Sequence, residues 1–208
     1  ADQVLVCEPR RNRLIAKDSD KDDPIDAEKL AQLFRGGFLK PVHQTASVER
    51  SIFKQHVALY HDSVRQRVRR ANRILAQLRR HGVFVKEDEM QTSEQRESLL
   101  SRLPSSRLLG EDLQWLWREY DVLVEESNSF EQMLTREARA FEPIRRFVKL
   151  PGIAWIRGAT FFVYIDTPWR FRGKSPLWKY MGVGLDRRHS GGGRTQLHVA
   201  KQANRILK

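Results

Sequence analysis

The alternation of apolar and polar positions marks two long helices. Between residues 48 and 81, Phe53, Val57, Tyr60, Val64, Ala71, Ile74 and Leu78 fall on three- and four-residue steps, with Arg67 the one break. That spacing lines one face of a helix, and Gly82 is placed to end it. Leu109, Leu113, Leu116, Tyr120, Leu123, Phe130 and Leu134 repeat the pattern, with Ser127 interrupting. Two heptad helices joined by a polar connector over residues 87–106 predict an antiparallel hairpin or a coiled coil. The pattern fits packing within the chain and self-association through the same seam equally well.

The flanks read differently. Val4-Leu5-Val6-Cys7 is a short apolar run stopped by Glu8-Pro9, which predicts a buried strand. Asp23 can cap a following helix, Pro24 suits its first turn, and Ile25, Leu30 and Leu33 give it an apolar stripe. Gly36-Gly37 ends that helix, and residues 38–42 are expected to be extended. After Phe147 the composition shifts to an apolar run over 159–165, then to basic and aromatic residues. A final helix is expected over 198–208, with Ile206 and Leu207 facing other structure. The expected class is α/β, mostly α, in three parts: 1–47, 48–148 and 149–208. A strand opening the chain and an apolar helix closing it lead us to expect an interior piece of something longer.

Charge narrows the function. Across 208 residues, 38 Lys and Arg face 26 Asp and Glu, a formal charge of +12. Such a surplus fits a polyanionic partner, either nucleic acid or an anionic membrane surface. A lone cysteine, Cys7, excludes a disulfide framework and a cysteine-rich zinc site. No stretch has the roughly 20 apolar residues of a membrane span. The favoured class is an intracellular protein whose partner is nucleic acid. Arg65, Arg67, Arg69, Arg70, Arg73, Arg79 and Arg80 crowd the first long helix. Like charges so placed repel unless neutralised, and a phosphate backbone would neutralise them with a salt-dependent affinity. The plainer alternative is a solvated face balanced by the second helix, where Glu111, Asp112, Glu119, Asp121, Glu125 and Glu126 lie.

Three motifs could carry chemistry. Asp23 and Asp26, three apart at a helix start, can converge on a hard cation such as Mg²⁺, although an aspartate there is commonly a cap. Ser190, in Arg187-Arg188-His189-Ser190-Gly191-Gly192-Gly193-Arg194, is a candidate nucleophile. The glycines let backbone N–H groups approach a phosphate, and the arginines match transition-state charge. His189 or a metal-bound carboxylate could take the proton. A glycine loop whose arginines only hold DNA is the plainer reading. Leu150-Pro151-Gly152-Ile153 is a turn that could offer N–H groups to a phosphate, or simply start a helix. Arg170, Arg172 and Lys174 form a further basic-aromatic stretch with Trp169, Phe171 and Trp178.

The order of these motifs is more telling than any one of them. Lys21-Asp22-Asp23-Pro24-Ile25-Asp26-Ala27-Glu28-Lys29-Leu30-Ala31, a basic helical hairpin, Leu150-Pro151-Gly152-Ile153 and Ser190-Gly191-Gly192 follow one another. In this the chain resembles, over essentially its whole length, bacterial insertion-sequence transposases that join a RuvC-like DEDD domain to a C-terminal serine domain (insertion-sequence family one-ten). The resemblance implies a partial ribonuclease H-like fold in 1–47, a coiled coil in 48–148 and a truncated, helical serine transposase domain in 149–208. It implies Mg²⁺ held by four acidic residues, the last two at Asp23 and Asp26, and a covalent phosphoserine link through Ser190. It further implies DNA and a guide RNA as partners, and homo-oligomers formed through the coiled coil. RNA and DNA would be held by Arg65, Arg69, Arg70, Arg73, Gly152, Arg170, Arg172, Lys174, Arg187, Arg188 and Arg194. The family's first two acids lie on upstream strands, and Glu8 does not match either. Two other readings stand beside this one. One is a non-catalytic nucleic-acid-binding or assembly protein, such as a decayed transposase remnant. The other is a junction nuclease that uses only the acidic site.

Overall fold

The structure is a computed structural model, and it describes residues 4–7, 22–39, 41–188, 196–199 and 203–207. It is mostly helical. The chain divides into two compact units, residues 1–46 and 47–208.

In the first unit, α1 runs Asp23–Arg35. Its N-cap is Asp22, one residue before the expected cap, so Asp23 and Pro24 are the first helical residues. Gly37, at φ 69°, turns the chain away after the helix, a conformation glycine adopts without steric cost. The opening segment departs from expectation. Val4, Leu5 and Val6 are exposed at 82%, 43% and 41% rather than forming a buried strand. Cys7 makes an isolated antiparallel bridge with Pro41, and the Val42 amide donates to the Val6 carbonyl at 2.8 Å. Proline offers no N–H for a longer ladder. Val4, Leu5, Cys7, Leu30, Ala31, Phe34 and Leu39 line an apolar recess of about 610 Å³.

The second unit is built on α2 (Val48–Arg80) and α4 (Arg107–Ala138), the expected hairpin. Ser47 and Ser106 cap them by accepting from the amides of Arg50 and Leu109. Leu78, Ile74 and Leu113 are fully buried in the seam with Ala71, Leu116, Trp117 and Tyr120. The two breaks in the heptads face each other, with Arg67 Nη1 donating to Ser127 Oγ at 3.4 Å.

The connector is more than a polar loop. One 3-10 turn, Glu87–Met90, and α3, Ser93–Ser101, close over the end of the hairpin. Val83, Met90 and Leu99 enter the same core as Leu78 and Leu113. Arg96 fastens the connector: it donates to the Met90 carbonyl at 2.8 Å and to both Asp121 oxygens at 2.7 and 2.6 Å.

At the opposite end, α5 (Glu142–Phe147) and α6 (Trp155–Ile165) pack on the hairpin. Phe53, Val57, Leu134, Ala138, Ile144, Ala159, Phe162 and Val163 form a second core, which Ile206 and Leu207 join. The expected boundary at 148/149 therefore falls between residues that share this core. α7 spans Lys174–Met181, and β1 (Leu185–Arg188) pairs antiparallel with β2 (Gln196–Val199). Residues 198 and 199 thus lie in a strand where the sequence predicts the start of a helix, and 205–207 form only a turn. Ladder bonds from β1 satisfy that backbone instead.

Candidate nucleic-acid interface

The arginines of α2 divide by where their charge goes. Arg70 pairs with Glu119 on α4, Nη1 to Oε2 2.6 Å, in contact but off hydrogen-bond alignment. It also lies 5.5 Å from the Trp115 ring centroid. Arg65 pairs with Asp62 on its own helix at 3.0 Å. Arg67 is turned into the seam, where its Nε is buried with no hydrogen-bond partner. Arg69 and Arg73, one turn apart and exposed, have no ion pair among the described residues. With Gln66, Arg70 and Leu123 they line a surface groove of about 210 Å³. The balancing role of the acidic helix therefore holds for Arg70 and not for Arg69 or Arg73. Two unpaired guanidiniums at helical spacing match phosphates along one strand.

Further along the second unit, Arg170 ends a 3-10 turn, Pro168–Arg170, and Lys174 starts α7. Arg172 is exposed between them. Gly152 sits at φ 80° in the turn before α6, and its carbonyl accepts from Arg157 Nη1 at 2.7 Å. Ala154 caps α6 without a side-chain bond, so amides of the first turn stay open to solvent or an anion. Arg187 and Arg188 lie in β1, opposite Leu197 and Gln196. Ser190, the glycines after it and Arg194 fall in the chain between β1 and β2, outside the described residues.

Asp23 and Asp26 occupy the first turn of α1, Asp23 exposed and Asp26 half-buried. Carboxylates there are favoured by the helix dipole whether or not a metal binds. Their oxygens suit a hard cation such as Mg²⁺, which takes carboxylate and water ligands. Among the described residues, no cluster of three or more His, Cys, Asp or Glu could hold a metal. The pair would supply two ligands, and the rest of such a site is not among these residues.

Two positions escaped the sequence reading. Arg50, near the start of α2, reaches Asp166 at the end of α6, 116 residues away, and nothing in local spacing signals that pairing. His61 Nε2 lies 2.9 Å from Thr160 Oγ1. That hydroxyl donates to the Ile156 carbonyl at 2.7 Å, so it accepts from His61. Burial, then the Arg65 charge, hold the His61 pKa below its ordinary value.

No family model matches this chain, and no curated protein matches it significantly. Among the described residues no helix is long and apolar enough to cross a membrane.

Proposed function

We propose that this chain serves in a DNA-recombining transposase, guided by RNA, that joins a RuvC-like acidic domain to a C-terminal serine domain. The observation that carries the reading is the order of its motifs: the Asp23–Asp26 helix start, the basic hairpin, Pro151-Gly152-Ile153 and Ser190-Gly191-Gly192. The cation surplus on α2, with Arg69 and Arg73 unpaired, supports it by supplying a face for phosphates.

In this reading the Ser190 oxygen bonds to a DNA phosphorus while the bond to the leaving nucleoside oxygen breaks. The serine proton ends on that leaving hydroxyl. The phosphoserine ester conserves the phosphodiester energy, so the reverse attack rejoins strands without ATP. Arginines beside the serine would stabilise charge on the phosphoryl group. Asp23 and Asp26 would contribute two ligands to a Mg²⁺, whose chemistry is to neutralise phosphate charge and favour a deprotonated hydroxyl.

Ser190→Ala is the direct test. It abolishes covalent trapping of DNA while leaving binding intact, whereas unchanged trapping removes serine from the mechanism. Replacing Arg69 and Arg73 by glutamine lowers the dependence of log affinity on log salt by roughly one unit per lost phosphate contact.

A second reading, a non-catalytic nucleic-acid-binding or assembly protein, is favoured by an acidic pair that has no third metal ligand grouped with it among the described residues. It predicts DNA binding with no adduct from wild type or variant.

A further inference from the structure

The end of α6 makes a turn that packing alone does not explain. Asp166 adopts φ 60° and ψ −76°, backbone that side-chain-bearing residues rarely occupy. Arg50 of α2 holds it there. Its Nη1 donates to the Asp166 carbonyl at 3.0 Å and pairs with the Asp166 carboxylate. The guanidinium also lies 4.4 Å from the Phe162 ring centroid, over the second core. Directly beyond this clamp, Pro168–Arg170 forms its single 3-10 turn, and Trp169 projects from it 91% exposed.

Three cations follow that indole in sequence, and two of them lie against aromatic rings. The Arg170 guanidinium lies 4.6 Å from the ring centroids of both Phe171 and Tyr180. Lys174 Nζ lies 5.7 Å from the Trp178 centroid. Arg170, Arg172 and Lys174 have no carboxylate partner among the described residues. Exposed ring faces beside unpaired cations bind bases by stacking and phosphates by charge. Within a duplex each base face is covered by its neighbours, so such a ring stacks far more readily on an unpaired base. Tyr180, against which Arg170 packs, is itself tied into the fold. Tyr180 Oη donates to the Tyr164 carbonyl at 3.1 Å and accepts from Asn204 Nδ2 at 3.2 Å. Asn204 Oδ1 accepts from the Ile206 amide at 3.0 Å.

We infer that Trp169, flanked by Arg170, Arg172 and Lys174, is a stacking site for an unpaired stretch of DNA. This rests on the nucleic-acid reading above and adds the strand state of the ligand. Because Trp169 is almost wholly in water, Trp169→Ala leaves the fold intact and tests the contact alone. Fluorescence anisotropy would compare wild type, Trp169→Ala and Trp169→Phe on one labelled 20-nucleotide sequence, as single-stranded DNA, as duplex and as single-stranded RNA. The alanine variant binds single-stranded DNA about tenfold more weakly and duplex within about twofold of wild type, while the phenylalanine variant retains most of the affinity. Quenching of 2-aminopurine placed in the single strand disappears with the indole. Equal losses on single strand and duplex, or no loss on either, overturn the inference. A loss confined to RNA overturns its assignment to DNA. If wild type binds none of the three, the nucleic-acid reading itself fails, a result distinct from the failure of stacking.

Discussion

The two ends of the α2–α4 hairpin are closed in opposite ways. At the connector end, the covering residues Val83, Met90 and Leu99 come from the chain that joins the two helices. At the other end they come from Ile144, Phe162 and Val163, with Ile206 and Leu207 added from far along the sequence. Between the two cores the seam is polar. Ser63 and Ser127 are buried and bond back to the Tyr60 and Val124 carbonyls, and Arg67 leans on Ser127. One hairpin thus carries a locally closed core and a distantly closed one, separated by a layer with little apolar contact. The features assigned to nucleic acid follow the same division. Arg69 and Arg73 sit on the helix above the local core, and the Trp169 turn is pinned by Arg50 to the distant one.

The largest expected effects test whether the cores are separable. Leu113→Ala and Leu134→Ala, each at a fully buried site, should each cost about 2–5 kcal/mol in denaturant unfolding. Native-state hydrogen exchange should then differ: Leu134→Ala loosens α6 amides and spares α3, while Leu113→Ala does the reverse. Uniform loss of protection in both variants would show a single cooperative core. Next in size is Arg96→Ala, which removes the paired bonds to Asp121 and the bond to the Met90 carbonyl. Asp121 is itself about half exposed, so the loss should be about 1–2 kcal/mol, with faster exchange confined to residues 87–101. Arg67→Leu acts in the opposite direction. It replaces a half-buried cation whose Nε has no partner by a residue that continues the heptad, and should raise stability by about 1 kcal/mol. A drop in the denaturation midpoint would mean that the polar layer supports the seam.

What could be read in advance follows this division too. Both long helices were legible from their heptad spacing, and the end of the first from Gly82, whereas α4 stops at Ala138 with no glycine to mark it. The inward faces of Ile74, Leu78, Leu113 and Leu116 came from the same pattern. The connector was misjudged because its few apolar residues, Met90 and Leu99 among them, are isolated within polar sequence, and only the open end of the hairpin makes them core. The opening run erred the other way, since Val4-Leu5-Val6 has strand composition but Pro41 stands where a ladder would continue. At the candidate site, Arg69 and Arg73 were visible as charge, yet their lack of carboxylate partners was not, since pairing depends on which way α4 turns. Arg50 with Asp166 was beyond reach. A contact across 116 residues leaves no local trace.

The smallest expected effect, and the one most specific to the distant core, is on His61. Its imidazole meets Thr160 of α6, and burial and Arg65 hold its pKa below the ordinary value. Above about pH 6.5 the ring is neutral in both folded and unfolded chains, so its contribution does not change with pH. As pH falls below that value the unfolded chain takes up the proton first, and stability declines until the folded ring also protonates. The hydrogen bond to Thr160 does not oppose this, because Nε2–H donates in either charge state; the opposition comes from desolvation and the neighbouring cation. Asp62 beside it is held below the usual carboxylate range, chiefly by its hydrogen bonds from Gln66 and Arg65, and so stays charged through the window. The chain has six histidines, which makes the variant comparison the informative one. Urea midpoints at pH 7.5 and pH 5 should fall further for wild type than for His61→Gln, and equal falls would place the proton-sensitive contact elsewhere than between α2 and α6.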